Sequence, residues 1–226
     1  FAVTFAPSAT GTRSAAIHIA SNDEDENPFD LTLTGTGISP EIVVEYPTGT
    51  VLTDGVSNVT LPATGVGGSS AAQTFTVRNT GTSPLTGISI TKDGTNSSEF
   101  TVSTPVTSIA AGASATFSLT FSPVGIEGPR SAVIHILSSD LDESSFDVAV
   151  SANALGPEIG VEYPTGTSLT DGVSSVVLPT TSTGSSSTAQ TFTIRNTGAA
   201  SLTGISITKD GAHSAEFTVS TSVTSI

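Results

Sequence analysis

Residues 73–78 read Gln-Thr-Phe-Thr-Val-Arg, a strict alternation of polar and apolar side chains. Successive side chains of a β-strand point to opposite faces, so Phe75 and Val77 would share one face and the polar residues the other. Residues 117–121 (Phe-Ser-Leu-Thr-Phe) repeat the pattern. Both stretches therefore predict strands that bury one face and expose the other.

Similar alternation continues outward along the chain. The apolar sets are Ala132, Ile134 and Ile136; Phe146, Val148 and Val150; and Leu85, Ile88 and Ile90. Thr, Val and Ile favour the pleated backbone because their branched Cβ restricts χ1. No window shows a convincing helical period. Seven or more short strands with turns every 8–12 residues or so are typical of an immunoglobulin-like (Ig-like) sandwich. The predicted fold class is all-β, with tandem Ig-like β-sandwich repeats.

The sequence repeats itself with an offset of 117 residues. Pro40-Glu41-Ile42 recurs at 157–159, Thr53-Asp54-Gly55 at 170–172, and Gln73-Thr74-Phe75 at 190–192. The beginning of the chain joins the same pattern, because residues 1–5 match 117–121 at an offset of 116 and Arg13-Ser14-Ala15 matches 130–132 at 117. We therefore predict a period of 117 residues.

This period predicts three parts. Residues 1–38 (the N-terminal segment) are the C-terminal part of an Ig-like repeat, and residues 39–155 (the middle repeat) are a complete one. Residues 156–226 (the C-terminal segment) are the N-terminal part of another. Part of a sandwich exposes unpaired strand edges, an aggregation hazard. We therefore expect completion either by further repeats of a longer polypeptide or by another copy of the chain. Since no Met begins the chain, we expect Phe1 to be a processed or excised start.

A family resemblance follows from these residues. The stretch 74–81, Thr-Phe-Thr-Val-Arg-Asn-Thr-Gly, followed by Pro84-Leu85, resembles a strand pair of choice-of-anchor D domains. Those domains belong with the ASPM/SPD-2/Hydin-type Ig-like repeats. Residues 117–123, 130–140 and 35–37 resemble later strands of the same family. The resemblance implies a secreted or cell-surface repeat protein of bacteria or archaea, without catalytic residues. A Thr/Gly/Ser-rich insert at 63–70, repeated at 180–187, departs from the family pattern.

Composition narrows the function classes. The formal net charge is −14, with six Lys and Arg against twenty Asp and Glu. Such a surface repels nucleic-acid phosphates and anionic lipid headgroups, so we expect neither partner. No apolar run is long enough to span a bilayer, so we expect no membrane insertion in this segment. Cysteine is absent, which excludes disulfides and thiolate metal sites.

The best metal candidates lie in an acidic turn that occurs twice. Its members are Asp23, Asp25 and Asp30 in the first copy and Asp140, Asp142 and Asp147 in the second. Clustered carboxylates suit Ca²⁺, but the glycine and the final glutamate of an EF-hand loop are missing. A solvated turn is the favoured interpretation. We therefore predict no cofactor and no metal site, with calcium at these six residues as the weaker alternative.

Catalysis finds no support in the sequence, and we predict that the chain is not an enzyme. No Gly-x-Ser-x-Gly nucleophile motif stands between a strand and a helix. The glycine-rich stretch 64–70 has no Lys and opens no helix, which favours a flexible surface loop over a phosphate site. His18 and His135 occupy equivalent outward positions and are interpreted as surface residues. Asn58 and Asn96 fit the N-glycosylation pattern, but their counterparts Ser175 and His213 do not.

The sequence therefore predicts a structural, non-catalytic protein at the cell surface or outside the cell. Ig-like repeats stacked end to end would form a stalk, fibre or filament, because each repeat mainly contacts its neighbours. In one version the partners are copies of the chain itself, joined head-to-tail by strand complementation. The alternative is an adhesin-type module that binds a glycan or a protein through loops at one end of the sandwich. The insert 63–70 would be its contact, although it lacks the Trp, Tyr and Arg typical of hot spots.

Overall fold

The computed structural model describes residues 1–220 and 223–226. Strands dominate this part of the chain, and its helical residues are confined to two 3-10 turns, Ser97–Glu99 and Ser214–Glu216. Neither of these short turns, nor any other described helix, has the length and apolar character to cross a membrane. The predicted all-β fold class is confirmed.

The middle repeat contains most of the strands. They are β3 (Ile42–Glu45), β4 (Asn58–Thr60), β5 (Thr64–Gly65), β6 (Gln73–Asn79), β7 (Leu85–Thr86), β8 (Ser89–Asp93), β9 (Phe100–Val102), β10 (Ser108–Ile109), β11 (Ser114–Phe121), β12 (Gly128–Leu137) and β13 (Ser145–Leu155). The N-terminal segment carries β1 (Gly11–Ile19) and β2 (Phe29–Gly37), and the C-terminal segment carries β14 (Ile159–Glu162) and β15 (Thr193–Asn196).

Two sheets of the middle repeat face each other. The first has the order β3-β6-β11-β9, with antiparallel neighbours throughout. The second has the order β4-β13-β12-β8, and both β4 and β5 run parallel to β13. The strands β6, β11, β12 and β13 therefore occupy interior positions in the two sheets, whereas β3, β9, β4 and β8 occupy the edges.

Aromatic side chains fill the space between the sheets. Phe75 stacks on Phe117 with ring centroids 5.0 Å apart and on Tyr46 at 4.6 Å, while Phe100 lies 5.1 Å from Phe121. The apolar positions of the alternating stretches are buried, as the period of two predicts. Every residue of the buried hydrophobic cluster lies within 42–154. The middle repeat therefore supplies its own core.

Ile90 departs from the predicted inward set, because it is only half-buried whereas Leu85 and Ile88 are buried. It lies on β8, which pairs with β12 alone and forms an edge of the second sheet. An edge strand has a neighbour on one side only, so its side chains keep more contact with solvent.

Among the described residues, each flanking segment forms strand pairs only within itself. β1 and β2 make an antiparallel hairpin in which Gly11 pairs with Gly37 and Ile19 pairs with Phe29. β14 and β15 pair in the same way over four residues each. Elsewhere in the described part of 156–226, the regions equivalent to β8 and β9 are not strands.

The pairing pattern of the middle repeat explains this difference. There β8 pairs only with β12, β9 only with β11, and β4 and β5 only with β13. The sequences equivalent to β11, β12 and β13 lie in the N-terminal segment, at residues 1–5, 11–19 and 29–37. The C-terminal segment therefore keeps the pairs whose two strands it contains. These are β14 with β15, equivalent to β3 with β6, and the bridge between Thr203 and Ser225, equivalent to the pairing of β7 with β10.

Candidate functional site: the open faces of the divided repeat

The N-terminal segment exposes an apolar face. Phe5 is 52% exposed, whereas its counterpart Phe121 in the middle repeat is fully buried. Phe1 and Val3 are exposed as well, although their alternation matches that of β11. A large contiguous apolar surface rimmed by polar residues usually marks an interaction site. The exposed side chains of this face are therefore the counterparts of residues that form the core of the middle repeat.

The C-terminal segment exposes the complementary set. Phe217 is 52% exposed, whereas its counterpart Phe100 is fully buried against Phe121. Phe192, the counterpart of buried Phe75, is exposed beside Tyr163. In the middle repeat these positions pack against β11 and the strands that follow it. The exposed side chains of the C-terminal segment are thus the ones that an equivalent of β11 would cover.

The middle repeat shows how such pieces fit together. Its β11 lies between β6 and β9, and its β12 lies between β8 and β13. Residues 1–38 contain the equivalents of β11, β12 and β13. Residues 156–226 contain the equivalents of the strands that pair with these three, namely β6 and β9, β8, and β4 and β5. We call the two segments together the divided repeat. The two open faces are therefore complementary in strand order and in side-chain pattern.

Polar groups also connect the two halves of the middle repeat. Asp140 follows β12 and is buried, and its Oδ2 accepts a hydrogen bond of 2.8 Å from the backbone N–H of Ile42. Asp54 Oδ1 accepts a 2.6 Å hydrogen bond from the N–H of Asp147. Charge-assisted bonds of this kind are stronger than neutral ones. Both join the early strands of a repeat to its last hairpin.

The calcium candidates divide into two groups in the structure. Asp140 and Asp142 come together with Glu41, with ligand oxygens within 4.8 Å of one another. Burial, followed by the negative charges of Asp140 and Asp142, raises the pKa of Glu41. The sequence pattern did not include Glu41, because it lies about a hundred residues away along the chain. One oxygen of Asp140 is already engaged by the backbone N–H of Ile42.

Asp147 lies in a different place, on β13 beside His135. Its Oδ1 accepts hydrogen bonds from His135 Nδ1 at 2.8 Å and from the Ser145 hydroxyl at 2.7 Å. Asp30 does the same for His18 at 2.6 Å in the N-terminal segment. The third aspartate of each predicted calcium set is therefore a histidine partner.

Asp23 and Asp25 lie in the exposed turn of the N-terminal segment. The Asp23 N–H donates to the Ser21 hydroxyl at 3.1 Å. This contact is the one expected of a turn residue, since short polar side chains bond to nearby backbone groups. The equivalent of Glu41 for this turn is Glu158, on the other segment of the divided repeat.

Both ring nitrogens of His135 face carboxylates. Nδ1 bonds to Asp147, and Nε2 lies 3.4 Å from Asp93 Oδ2. The hydrogen bond to Asp147 is the main cause that raises the pKa of His135, and Asp93 adds to it. A general base for a nucleophile needs one nitrogen directed at a hydroxyl or thiol. His135 is instead held between two acids, an arrangement that stabilises its protonated form.

The His–Asp pairs were missed by sequence reasoning, although a signal was present. Each histidine precedes its aspartate by the same twelve positions, in both copies of the repeat. The hairpin register places them directly opposite each other, as His18–Asp30 and His135–Asp147. Cross-strand neighbours on one face of a hairpin interact. Reading the hairpin register from the sequence would have predicted both contacts.

The insert at 63–70 differs from the flexible loop that its composition predicts. Its N–H groups bond to carbonyls of both sheets, from Val66 to Leu155 at 2.9 Å and from Ser70 to Phe121 at 2.8 Å. Gly65 packs directly on the C-terminal segment, where an added Cβ would stand 1.9 Å from the Ala199 carbonyl oxygen. The insert is therefore fixed to the sandwich and lies against the C-terminal segment.

Comparison with known proteins agrees with this architecture. Residues 65–153 match the family model described as HYDIN/CFA65/VesB-like, Ig-like domain. The middle of the chain has an Ig-like fold. This match supports an Ig-like family, whereas the narrower resemblance to choice-of-anchor D domains stays a prediction. A search among curated proteins gave no significant match.

Three solved structures illustrate the structural likeness. The ASH/PapD-like domain 7 of human CEP192 is 17% identical, with a TM-score of 0.35, covering 52% of this chain and 87% of that one. A protein of unknown function from Porphyromonas gingivalis W83 is 17% identical, with a TM-score of 0.34, covering 65% and 92%. The VesB protease of Vibrio cholerae is 14% identical, with a TM-score of 0.32, covering 60% and 40%. Similarity at this level carries no argument about activity, and the Ig-like family is usually non-catalytic.

Proposed function

We propose that this chain is a structural, non-catalytic repeat protein that assembles head-to-tail into an extracellular filament. Residues 1–38 of one copy complete the Ig-like repeat begun by residues 156–226 of the next copy. The observation that carries this proposal is the complementarity of the two open faces. Each displays side chains whose counterparts form the core of the middle repeat. The narrower kinship with choice-of-anchor D surface proteins belongs to the same proposal.

The energetics of the joint determine how many apolar side chains it must bury. Burying one Phe side chain contributes about 1.5–3 kcal/mol, whereas association of two proteins costs about 4–15 kcal/mol. Several large apolar residues are therefore required. The two faces offer Phe1, Phe5, Phe192 and Phe217 together with aliphatic residues, all of them exposed. Backbone hydrogen bonds of the added strands contribute as well.

The geometry of such a joint produces a fibre. The apolar face of residues 1–38 (the donated face) precedes the middle repeat in sequence. The apolar face of residues 156–226 (the accepting face) follows it. A contact between two different surfaces of identical subunits is heterologous, and it continues indefinitely unless a rotation closes it into a ring. The middle repeat, with its self-contained core, is then a folded unit between two joints.

Two charge substitutions test the proposal. Phe5→Asp places a carboxylate in the donated face, and Phe217→Asp places one in the accepting face. Both residues are half-exposed in the isolated chain, so each variant should keep a folded middle repeat. Leu141→Asp, at a fully exposed position of the middle repeat, is the matched control. Sedimentation velocity and negative-stain microscopy measure assembly, and a urea transition checks folding.

The expected results form a pattern. The wild-type chain and Leu141→Asp form long polymers, whereas each Phe variant alone stays monomeric. An equimolar mixture of the two Phe variants forms dimers and no larger species, because one intact donor meets one intact acceptor. A wild-type chain that remains monomeric, or Phe variants that still polymerise, would overturn the proposal. A denatured native mass several times that of 226 residues would also overturn it, since the repeats would then be covalently joined.

The adhesin alternative gains no observation from the structure. Its expected contact, the insert at 63–70, is hydrogen-bonded to the sandwich, and Gly65 lies against the following repeat. The insert therefore has a structural role in the joint between repeats.

A further inference from the structure

A buried ion pair connects the two halves of the middle repeat. Arg130 Nε lies 3.0 Å from Glu99 Oε2 and 3.2 Å from Oε1. The two side chains are only 10% and 8% exposed. Glu99 lies in the 3-10 turn before β9, and Arg130 lies near the start of β12. The pair therefore joins two parts of the middle repeat whose counterparts lie on different segments, residues 1–38 and residues 156–226.

The counterparts of this pair are separated in the chain. Arg13 belongs to the N-terminal segment and Glu216 to the C-terminal segment. Arg13 Nη2 donates to the Thr10 carbonyl at 2.9 Å. Glu216 is exposed, with an oxygen 3.7 Å from Nδ1 of the equally exposed His213. Both charged groups are thus available to a partner.

Both segments carry a net negative charge, which makes a contact between Arg13 and Glu216 important for their association. Arg13 is the single Lys or Arg among residues 1–38, which contain five acidic residues. The C-terminal segment is acidic as well, with five acidic residues against Arg195 and Lys209. Two surfaces of the same sign repel each other on approach. An attractive contact between them has to use the few positive charges present.

We propose that Arg13 of one copy and Glu216 of the next form a buried ion pair that fixes the register of the joint. This inference rests on the proposed function, because the ion pair belongs to the same contact between copies. A strand that slips by one residue turns its side chains to the opposite face. A slipped joint would therefore bury Arg13 and Glu216 apart from each other, which a low-dielectric environment penalises heavily.

The ion pair predicts a characteristic mutational signature. Removing one partner of a buried pair costs about 3–5 kcal/mol, because the other charge remains buried and unpaired. That cost corresponds to a loss of affinity of about 100-fold or more. Neutralising both partners leaves no isolated charge, so the double substitution costs much less than the two single losses combined.

The test uses the dimer formed by the two Phe variants. The Phe217→Asp chain donates its N-terminal segment and receives Arg13→Gln, whereas the Phe5→Asp chain accepts and receives Glu216→Gln. In this design neither charge substitution neighbours a Phe substitution in the same joint. Analytical ultracentrifugation measures Kd for the four combinations. We expect each single change to weaken the dimer about 100-fold and the coupling to exceed about tenfold.

Arg195→Gln in the accepting chain is the matched control, because Arg195 Nε already contacts Glu162 Oε1 of its own segment at 2.5 Å. It should show no coupling with Arg13→Gln. If the parent Phe variants form no dimer, the proposed function itself fails. If they form the dimer but the effects of Arg13→Gln and Glu216→Gln simply multiply, the joint stands and the ion pair is overturned.

Discussion

Phe100→Ala tests the core of the middle repeat most directly. Phe100 lies on the edge strand β9, is fully buried, and faces Phe121 with ring centroids 5.1 Å apart. Truncating a buried Phe to Ala removes its contacts and leaves a cavity, at a cost of about 3–5 kcal/mol. This is a large fraction of a typical domain stability of about 5–15 kcal/mol.

Urea denaturation of the excised fragment 39–155 measures the effect, since that fragment contains its whole core. With an m value of about 2 kcal/mol per molar urea, the midpoint should fall by about 2 M. Phe100→Leu keeps most of the volume and should cost less than half as much. If Phe100→Ala destroys folding altogether, the leucine variant still gives a measurable shift.

The counterpart residue Phe217 provides the internal comparison. In the full chain, Phe217→Ala should change the urea transition of the middle repeat by no more than about 0.5 kcal/mol, as expected for a distant exposed site. A cost below about 1 kcal/mol for Phe100→Ala would refute the packing of β9 on β11. An equal effect of Phe217→Ala would show that the C-terminal segment is part of the same cooperative unit.

Three further substitutions test other contacts. Asp147 raises the pKa of His135, so the stability from this pair is complete below the unfolded pKa and is lost as pH rises through the folded one. His135→Gln should therefore destabilise fragment 39–155 more at pH 5.5 than at pH 8, and an equal loss at both would contradict the pairing. Gly81→Ala would place a Cβ 2.4 Å from the Ser39 carbonyl oxygen, so its melting temperature should fall by several degrees, and an unchanged value would disprove the close approach. Burial and nearby carboxylates raise the pKa of Glu143, so Glu143→Gln should stabilise at pH 7 by a few tenths of a kcal/mol and lose this gain below about pH 4.

The alternation of polar and apolar residues predicted the strands and their buried faces, which depend on neighbouring residues alone. Alternation at 73–78 and 117–121 was sufficient to predict which side chains of β6 and β11 enter the core, because the period of a strand is fixed by its backbone. The all-β class followed from the same pattern. In contrast, the absence of strands equivalent to β8 and β9 in the C-terminal segment depends on which strand is their only partner. Sheet order is a long-range property that alternation does not encode.

Among the polar groups as well, contacts between residues close in sequence could be predicted, whereas contacts between distant residues could not. Asp140 and Asp142 were recognised as neighbours because they are close in sequence, whereas Glu41 joins them only through the fold. The buried pair of Glu99 and Arg130 was missed for the same reason, since thirty-one residues separate its members. Contacts across a sandwich require the strand order, and the sequence repeat supplies only equivalences between positions.

The close approach at Gly65 has a mechanical consequence for a fibre of the proposed kind. Within each copy, the joint after the middle repeat brings Gly65 against the backbone of Ala199 with no room for a side chain. At the proposed joint between one copy and the next, the equivalent positions are Ser182 of the first copy and Thr82 of the second. The side chain of Ser182 prevents the same approach. Successive joints would therefore differ in bending stiffness, and the filament would flex at every second one.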